Sequence, residues 1–231
     1  MQPLPIEKFV ALAELPNCRH VFTQRISGID VSHNKAEALA RLEKAHQDIR
    51  GAVGVGDWPL LTAEQIHGNK IAVADAPVES DKEFSGCDGI FTNQRGVALG
   101  VHVADCCAVY IVDPKTPAIG LVHSGRKGTE LGVVTKAIKQ MIARFRSDPA
   151  NLIVQLGPCI RPPHYEVDFA AEIIRQCRTL GVKEIHDPGV CTACDLDRYY
   201  SYRAEKGKTG RMLALIGLNQ WKDDLGVVRK I

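Results

Sequence analysis

Two histidines and one cysteine lie where apolar segments meet turns, and their side chains are suited to hold a metal ion. His67 precedes Gly68, and His123 ends an apolar run. Cys106 follows Asp105, where another apolar run is interrupted by a charge. Two imidazoles and one thiolate suit a zinc site with three protein ligands, whose open fourth position is typical of catalytic zinc. Zinc in such a site lowers the pKa of bound water to about 7 and supplies hydroxide at neutral pH.

The same residues allow other interpretations. A histidine at a strand end commonly makes an ordinary hydrogen bond, and a buried cysteine is usually a small apolar packing group. Alternatively, Cys106 and His123 are the nucleophile and base of a cysteine hydrolase, because a thiolate beside a histidine attacks carbonyls readily. The zinc and hydrolase hypotheses compete for one sulfur atom, since a thiolate bound to zinc is a poor nucleophile.

Several polar residues near these segments are candidates for binding substrate. Arg126 and Lys127 lie in a glycine-flanked turn that leads into a predicted helix, where cationic side chains and backbone N–H groups neutralise phosphate. Arg25 and Gln65 are further candidates for binding substrate or phosphate. Asp105 is a candidate for orienting a metal ligand or handling a proton, although a strand-end cap is equally compatible with its position.

The overall composition favours a small-molecule partner. The chain has 29 Lys+Arg and 27 Asp+Glu, a formal charge of +2, which lacks the basic excess typical of nucleic-acid binding. The longest nearly apolar run, residues 97–112, is shorter than the roughly 20 residues of a membrane span. Charged residues at Glu7, Lys8 and Glu14 interrupt the apolar core that a secretory signal requires. We therefore expect no membrane association and a cytoplasmic location.

The eight cysteines are expected to be thiols or metal ligands rather than disulfides, given the chain length and the expected cytoplasmic location. Cys191 and Cys194 have the spacing of a zinc knuckle. A structural zinc site needs a second pair of ligands, and no other pair has that spacing. Ordinary turn cysteines are the favoured interpretation of this pair.

The order of predicted elements favours an α+β fold of layered mixed β-sheets flanked by helices, in one domain spanning residues 1–231. Successive strands followed by helices, without regular βαβ alternation, argue against a Rossmann sheet. Strands are predicted at residues 20–25, 59–65, 70–74, 89–92, 97–103, 108–112, 118–123, 151–157 and 211–216. Helices are predicted at residues 33–49, 129–146 and 168–180, from apolar residues at helical spacing.

Five ordered segments resemble the laccase-domain family of the YfiH type, formerly described as multicopper polyphenol oxidase-like and now as purine nucleoside phosphorylases. The segments are QIHGNKI (65–71), CDGIFTNQRGVALGVHVADCC (87–107), AIGLVHSGRKG (118–128), LGPCIRPPHYEV (156–167) and CTACDLDRYYSYRAEKGKTGRM (191–212). With FTQR (22–25), they extend over nearly the whole chain in the family's order.

This resemblance implies a mixed α/β sandwich with zinc held by His67, Cys106 and His123. It also implies cleavage of purine nucleosides by phosphate and hydrolytic deamination of adenosine at the same site. The Ala-Asp-Cys motif makes Cys106 the ligand, and its neighbour Cys107 then points to the other side. A monomer or small homo-oligomer that binds purine nucleoside and phosphate is the corresponding expectation.

The chain also departs from the family pattern. Most relatives carry Trp and then Arg after the glycine that follows the second histidine, whereas this chain has Arg126 and Lys127. Arg at the aromatic position removes a stacking surface and retains positive charge. The segment after Val167 is shorter than is usual in the family. The three metal-site residues match the family pattern, so we expect an intact metal site. The departures indicate an altered substrate preference.

Two further hypotheses stay open at this point. A copper-dependent polyphenol oxidase is the interpretation behind the older family name, but blue-copper sites call for a weak axial ligand that is often Met, and the chain has only three. A non-catalytic binding protein that keeps the metal for stability is the second. Copper is therefore the less favoured cofactor.

Overall fold

The fold is built from two six-stranded sheets packed face to face. The computed structural model describes residues 4–219. The strands are β1 (Ile6–Glu7), β2 (Cys18–Thr23), β3 (Leu60–Ala63), β4 (Ile71–Ala74), β5 (Lys82–Phe84), β6 (Gly89–Thr92), β7 (Ala98–Val103), β8 (Cys107–Asp113), β9 (Ala118–Ser124), β10 (Ile153–Leu156), β11 (Glu184–His186) and β12 (Met212–Leu218). The α-helices are α1 (Val10–Ala13), α2 (Lys35–Ala52), α3 (Arg126–Glu130), α4 (Val133–Phe145) and α5 (Phe169–Thr179). Short 3-10 helices occupy Pro149–Asn151 and Thr192–Cys194.

Each sheet mixes parallel and antiparallel strands. The first sheet has the order β1-β2-β12-β7-β3-β5, and the second has the order β11-β10-β8-β9-β6-β4. In the second sheet β8 and β9 are antiparallel neighbours, with Ala108 opposite His123 and Cys107 opposite Ser124. This register places the residue before β8 beside the end of β9.

The apolar residues of the strands separate into layers. Phe22, Leu99 and Val101 from the first sheet and Tyr110 and Leu121 from the second share one buried core between the sheets. The outer face of the second sheet packs on α4 and α5, while α2 covers the outer face of the first sheet. Alternation of side chains along a strand lets each sheet serve two layers. The α+β prediction of layered mixed sheets flanked by helices is confirmed.

The predicted helix over residues 129–146 is wrong in one respect, because it is two helices. α3 begins already at Arg126, and α4 begins at Val133. Gly132 between them has a φ of 68°, a left-handed conformation that favours glycine and that a continuous α-helix does not contain. Arg126 and Lys127 therefore start a short helix instead of lying in the turn before one.

Within residues 4–219, no helix has the length and apolar character required to cross a bilayer. The eight cysteines are all free thiols. Cys194 is exposed at the end of the short helix Thr192–Cys194, and Cys177 is buried in α5.

Candidate metal centre

Three separate segments bring His67, Cys106 and His123 together. His123 lies near the end of β9, Cys106 lies in the bend directly before β8, and His67 lies in the bend between β3 and β4. Their potential ligand atoms all lie within 4.8 Å of one another. Nε2 of His67 is 3.8 Å from Sγ of Cys106, and the two imidazole rings meet edge to face with centroids 4.8 Å apart. The structure thus places two ring nitrogens and one sulfur around a common point.

The neighbour of Cys106 points to the opposite side of the second sheet. Cys107 is fully buried in the layer formed with α4 and α5, whereas Cys106 is half-buried and packs against the core between the sheets. The opposed directions follow from the alternation of side chains along extended backbone. Of the two adjacent cysteines, only Cys106 takes part in the cluster.

Asp88, immediately before β6, fixes both histidines. Its Oδ1 is 3.0 Å from Nδ1 of His123, and it also accepts a hydrogen bond of 2.7 Å from the backbone N–H of His67. Its Oδ2 accepts a further hydrogen bond of 2.7 Å from the backbone N–H of Gly68. Engagement of Nδ1 leaves Nε2 of His123 as the ring nitrogen for a metal, as in carboxylate–histidine–metal arrangements.

Sequence reasoning missed Asp88 and gave Asp105 as a candidate for orienting a metal ligand or handling a proton. The carboxylate of Asp105 instead accepts hydrogen bonds from the Thr192 hydroxyl and the Arg203 backbone N–H, both at 2.7 Å. It therefore ties the bend before β8 to two later segments. A signal for Asp88 was available, because a carboxylate directly before the predicted strand at residues 89–92 requires partners if that strand is buried.

The backbone of the site contains unusual conformations. Gln65, His67 and Asp105 have positive φ values of 65°, 59° and 81°. Left-handed backbone at residues other than glycine costs about 1–3 kcal/mol each and persists only where surrounding contacts enforce it. The Asp88 carboxylate accepts a hydrogen bond from the backbone N–H of His67 and so helps to hold that residue in its left-handed conformation.

Gly125 allows the thiol to approach the end of β9. A Cβ atom at this position would lie 2.6 Å from Sγ of Cys106 and 3.7 Å from Cδ2 of His67. The first distance is shorter than any normal carbon–sulfur contact, so a larger residue would displace the sulfur. Glycine is required here by close approach, since its backbone needs no left-handed conformation.

The electrostatics of the cluster favour a thiolate beside an imidazolium in the absence of a metal. Burial would raise the pKa of Cys106, but the positive charge of His123 and hydrogen bonds from both histidines outweigh it and lower that pKa to about 6. Burial would lower the pKa of His123, but the negative charge of Cys106 and the hydrogen bond to Asp88 raise it to about 9. A cysteine that ionises readily is suited to bind a metal or act as a nucleophile.

A cavity of about 600 Å³ opens over the three side chains. Aromatic and apolar groups, cations and one carboxylate line it. The lining residues are Lys35, Gln65, His67, His102, Ala104, Asp105, Cys106, His123, Gly125, Arg126, Ile160, Tyr165, Phe169, Tyr202, Arg203 and Arg211. Such a volume is typical of sites for small organic ligands.

The candidate substrate-binding residues divide into two groups. Gln65 and Arg126 line the cavity, but Arg25 and Lys127 do not. The amide of Gln65 is engaged by the backbone of His102, donating to its carbonyl at 2.6 Å and accepting from its N–H at 3.0 Å. This amide therefore joins the bend that carries His67 to β7.

Arg25 is engaged elsewhere in the fold. Its guanidinium forms an ion pair of 2.8 Å with Glu205, donates to the carbonyl of Tyr199 and lies over the ring of Tyr200. These contacts join the residues that follow β2 to the segment before β12. Because Arg25 does not line the cavity, its role in binding phosphate stays a prediction.

Comparisons with known proteins place the chain among related sequences and folds. A family model described as multi-copper polyphenol oxidoreductase laccase matches residues 19–173 and 167–219. A purine nucleoside phosphorylase of Streptomyces griseus is 30% identical over an alignment of 215 positions that covers 82% of this chain and 85% of that protein. A purine nucleoside phosphorylase of Corynebacterium glutamicum is 30% identical over 237 residues, covering 87% and 94% of the two chains.

Solved structures show the same fold. YlmD from Geobacillus stearothermophilus superposes with a TM-score of 0.82 at 21% identity, covering 94% of this chain and 100% of that chain. The YfiH protein of Bacillus licheniformis gives a TM-score of 0.74 at 20% identity, covering 93% and 99%. The resemblance to the YfiH type drawn from the sequence segments is confirmed.

Proposed function

The chain belongs to the multi-copper polyphenol oxidoreductase laccase family. From this premise, we propose that it is a zinc-dependent purine nucleoside phosphorylase that also deaminates adenosine. Relatives at 30% identity that span most of the chain are named purine nucleoside phosphorylases. The observation that carries the proposal is the meeting of the His67, Cys106 and His123 ligand atoms within 4.8 Å at the wall of one cavity.

The three side chains fit zinc in donor type, and the one donor–donor distance given by a direct contact is close to the spacing of zinc ligands. Tetrahedral zinc with usual bond lengths separates its nitrogen and sulfur ligands by about 3.3 to 3.6 Å. The distance of 3.8 Å between His67 Nε2 and Cys106 Sγ is close to this. When bound, zinc supplies a Lewis acid and lowers the pKa of water. Three protein ligands would leave one coordination position of zinc open, which suits a catalytic ion better than a closed structural one.

Zinc is favoured over copper by the surroundings of the cluster. A blue-copper site adds a weak axial ligand, often a methionine sulfur, to two histidines and a cysteine. Met141 and Met212 lie in the described part of the chain, and neither lines the cavity. Met141 is buried in the layer under α4, and the sulfur of Met212 accepts a hydrogen bond from the backbone N–H of Tyr200.

For phosphorolysis, the cavity must hold phosphate and nucleoside together. A phosphate oxygen forms a bond to the ribose carbon, the bond from that carbon to the purine nitrogen breaks, and the purine leaves with the electron pair and takes up a proton. Asp105 is the one carboxylate among the lining residues, and its two hydrogen bonds fix its position. We assign it the handling of this proton.

For deamination, water adds to C6 of adenosine and ammonia leaves. Asp105 and the three side chains of the cluster line the same cavity, so we assign the same groups to both reactions. The aromatic side chains Tyr165 and Tyr202, which line the cavity and are not fully buried, offer surfaces for stacking of a purine ring. The substrate-binding region thus combines stacking surfaces with cationic groups.

A cysteine hydrolase is the second candidate, and one observation favours it. Cys106, His123 and Asp88 form a continuous chain in which the thiol's pKa is lowered to about 6 and the imidazole is oriented by a carboxylate. This is the arrangement of an activated nucleophile, a base and an orienting group. The site would then act on a carbonyl without any metal.

The test of the proposed function measures release of purine from inosine, guanosine and adenosine, with and without phosphate, in protein of known metal content. Phosphate-dependent purine release that disappears on chelation and returns with zinc is the expected result. Purine release that survives complete metal removal would contradict zinc dependence. Hydrolysis of an ester or thioester that survives metal removal and is lost on thiol alkylation would instead support the hydrolase. Zinc-loaded protein that is inactive on every nucleoside would establish a binding protein with a structural metal.

A further inference from the structure

Two of the cations that line the cavity form no ion pair among the described residues. Lys35 and Arg211 both line the cavity, and neither has a carboxylate within ion-pair distance in residues 4–219. The other two lining cations are neutralised, since Arg126 pairs with Glu130 at 2.9 Å and Arg203 pairs with a second glutamate at 3.2 Å. Of the four Lys and Arg side chains that line the cavity, Lys35 and Arg211 are therefore the two without an ion pair among the described residues.

Arg211 is a fixed and largely buried cation. It is only 8% exposed, and its Nη1 donates to the backbone carbonyls of Thr209 and Gly210 at 2.7 and 2.8 Å. Its guanidinium also lies over the ring of Tyr202, with 5.7 Å to the centroid. A guanidinium has five N–H donors, so donors remain for a ligand. The charges of Asp105 and Glu205 act on Arg211 without forming an ion pair with it. Burial of a cation that lacks a direct partner is unfavourable, and a bound anion relieves that cost.

Lys35 supplies a second cation from a different element. It is the first residue of α2, whose N-cap Asn34 accepts a hydrogen bond from the N–H of Glu37. Its exposed ammonium reaches the carbonyl of Glu64 at 3.5 Å, a weak contact. The N–H groups of an ammonium are therefore available toward the cavity. Because the helix is capped by Asn34, Lys35 is not required for its start.

His102 on β7 lines the same cavity as both cations. Burial, and then the charges of His46, Lys35 and Arg211, lower the pKa of His102 to about 3, so both cations act on this one ring. Its imidazole is neutral at physiological pH and offers one donor and one acceptor. His46 from α2 packs behind it at a ring distance of 5.7 Å, and its buried Nε2 has no hydrogen-bond partner among the described residues.

We infer that Lys35, Arg211 and His102 form a binding site for a phosphoryl group, held by two cations and one neutral imidazole. Arg binds phosphate oxygens through the paired N–H donors of its guanidinium, and Lys binds them through its ammonium charge. The inference rests on the proposed function in identifying the ligand as the phosphate co-substrate. The same chemistry also suits a phosphate ester carried by the substrate itself, such as a nucleoside monophosphate.

The experiment titrates the full-length protein with inorganic phosphate by calorimetry in a buffer free of phosphate, and repeats the titration with adenosine monophosphate. Lys35→Gln and Arg211→Gln are compared with Lys44→Gln, which removes a lysine from the exposed face of the same helix. We expect about tenfold weaker phosphate binding for either cavity variant and no change for the control. Because Arg211 also supports two backbone carbonyls, Lys35→Gln decides the outcome if Arg211→Gln fails to fold.

The outcomes separate the ligand sources and the two proposals. Weakened binding of both titrants in Lys35→Gln supports the site with inorganic phosphate as a ligand. Binding of the nucleotide alone, weakened by the same variant, supports the site with a substrate-borne phosphate. Equal affinities in wild type, Lys35→Gln and Lys44→Gln for both titrants, or no binding of either, overturn it. Intact phosphate binding without purine release from any nucleoside overturns the proposed function and leaves this site standing.

Discussion

Asp88 and His123 are joined by a contact of 3.0 Å between a carboxylate oxygen and ring Nδ1, and both side chains are almost completely buried. Two backbone N–H groups, of His67 and Gly68, bind the same carboxylate. Asp88 therefore connects the two histidines of the candidate metal centre, although it touches neither the cavity nor the sulfur. Its effect on the site is one of position.

Replacing Asp88 by Asn is expected to weaken zinc binding by about 10- to 100-fold, because the orienting carboxylate of a metal-bound histidine is lost. Competition with a fluorescent zinc chelator measures the affinity. Asp113→Asn is the matched control, since Asp113 is a buried carboxylate that binds two backbone N–H groups in the turn after β8. Equal zinc affinities in both variants would contradict the orienting role of Asp88.

Removing the sulfur of Cys106 is expected to abolish stable zinc binding. Protein purified without added metal should contain about one zinc ion per chain, and Cys106→Ala should contain almost none, since two imidazoles alone hold zinc weakly. Cys194→Ala is the control, because it removes an exposed thiol outside the cluster. Elemental analysis of the three proteins is the measurement. Full zinc content in Cys106→Ala would remove Cys106 from the ligand set.

The thiol of Cys106 in metal-free protein is expected to titrate near pH 6, well below the ordinary value of 9. Below that pH the thiol is protonated and unreactive, and above it the thiolate forms, so alkylation of Cys106 should accelerate as the pH rises through about 6. His123→Ala removes the charge that lowers the pKa and should move the midpoint upward. Mass spectrometry of the alkylated peptide follows this residue alone. An alkylation midpoint that is the same in His123→Ala and in wild type would contradict the pairing of Cys106 with His123.

Gly125→Ala is expected to damage the metal centre without a change in charge. The added Cβ would lie 2.6 Å from Sγ of Cys106, so the sulfur or the end of β9 must move, at a cost of about 1–3 kcal/mol in stability. Zinc content and the free energy of unfolding are the measurements. Gly51→Ala in α2 is the control, because its Cβ meets nothing within 4 Å and alanine is favoured in helices. Normal zinc content in Gly125→Ala would contradict the claim that the close approach of Cys106 Sγ to Gly125 is needed for zinc binding.

Much of the architecture follows from local patterns in the sequence. The apolar stripe of α4 and the buried runs of β7, β8 and β9 identify elements because packing on one or two apolar layers requires those patterns. His67, Cys106 and His123 could be selected as a group because each type binds metals and each lies beside a turn. Their meeting in space could not be derived from spacing, since it depends on how β8, β9 and the bend before β4 are arranged.

The remaining features depend on distant partners or on very few residues. β1 and β5 are two- and three-residue strands that exist because β2 and β3 offer them hydrogen bonds. Asp88 is 35 residues from His123 along the chain. Lys35 and Arg211 lie near opposite ends of the sequence, so their shared cavity wall could not be seen in either neighbourhood.

The most direct test of the central claim is a crystal structure of protein purified without added metal, with diffraction recorded on both sides of the zinc absorption edge. We expect an anomalous peak that appears only above the edge, bonded to Nε2 of His67, Sγ of Cys106 and Nε2 of His123, with its fourth side toward the cavity. Imidazoles of His67 and His123 turned away from the sulfur of Cys106, with no anomalous peak between them, would contradict the account.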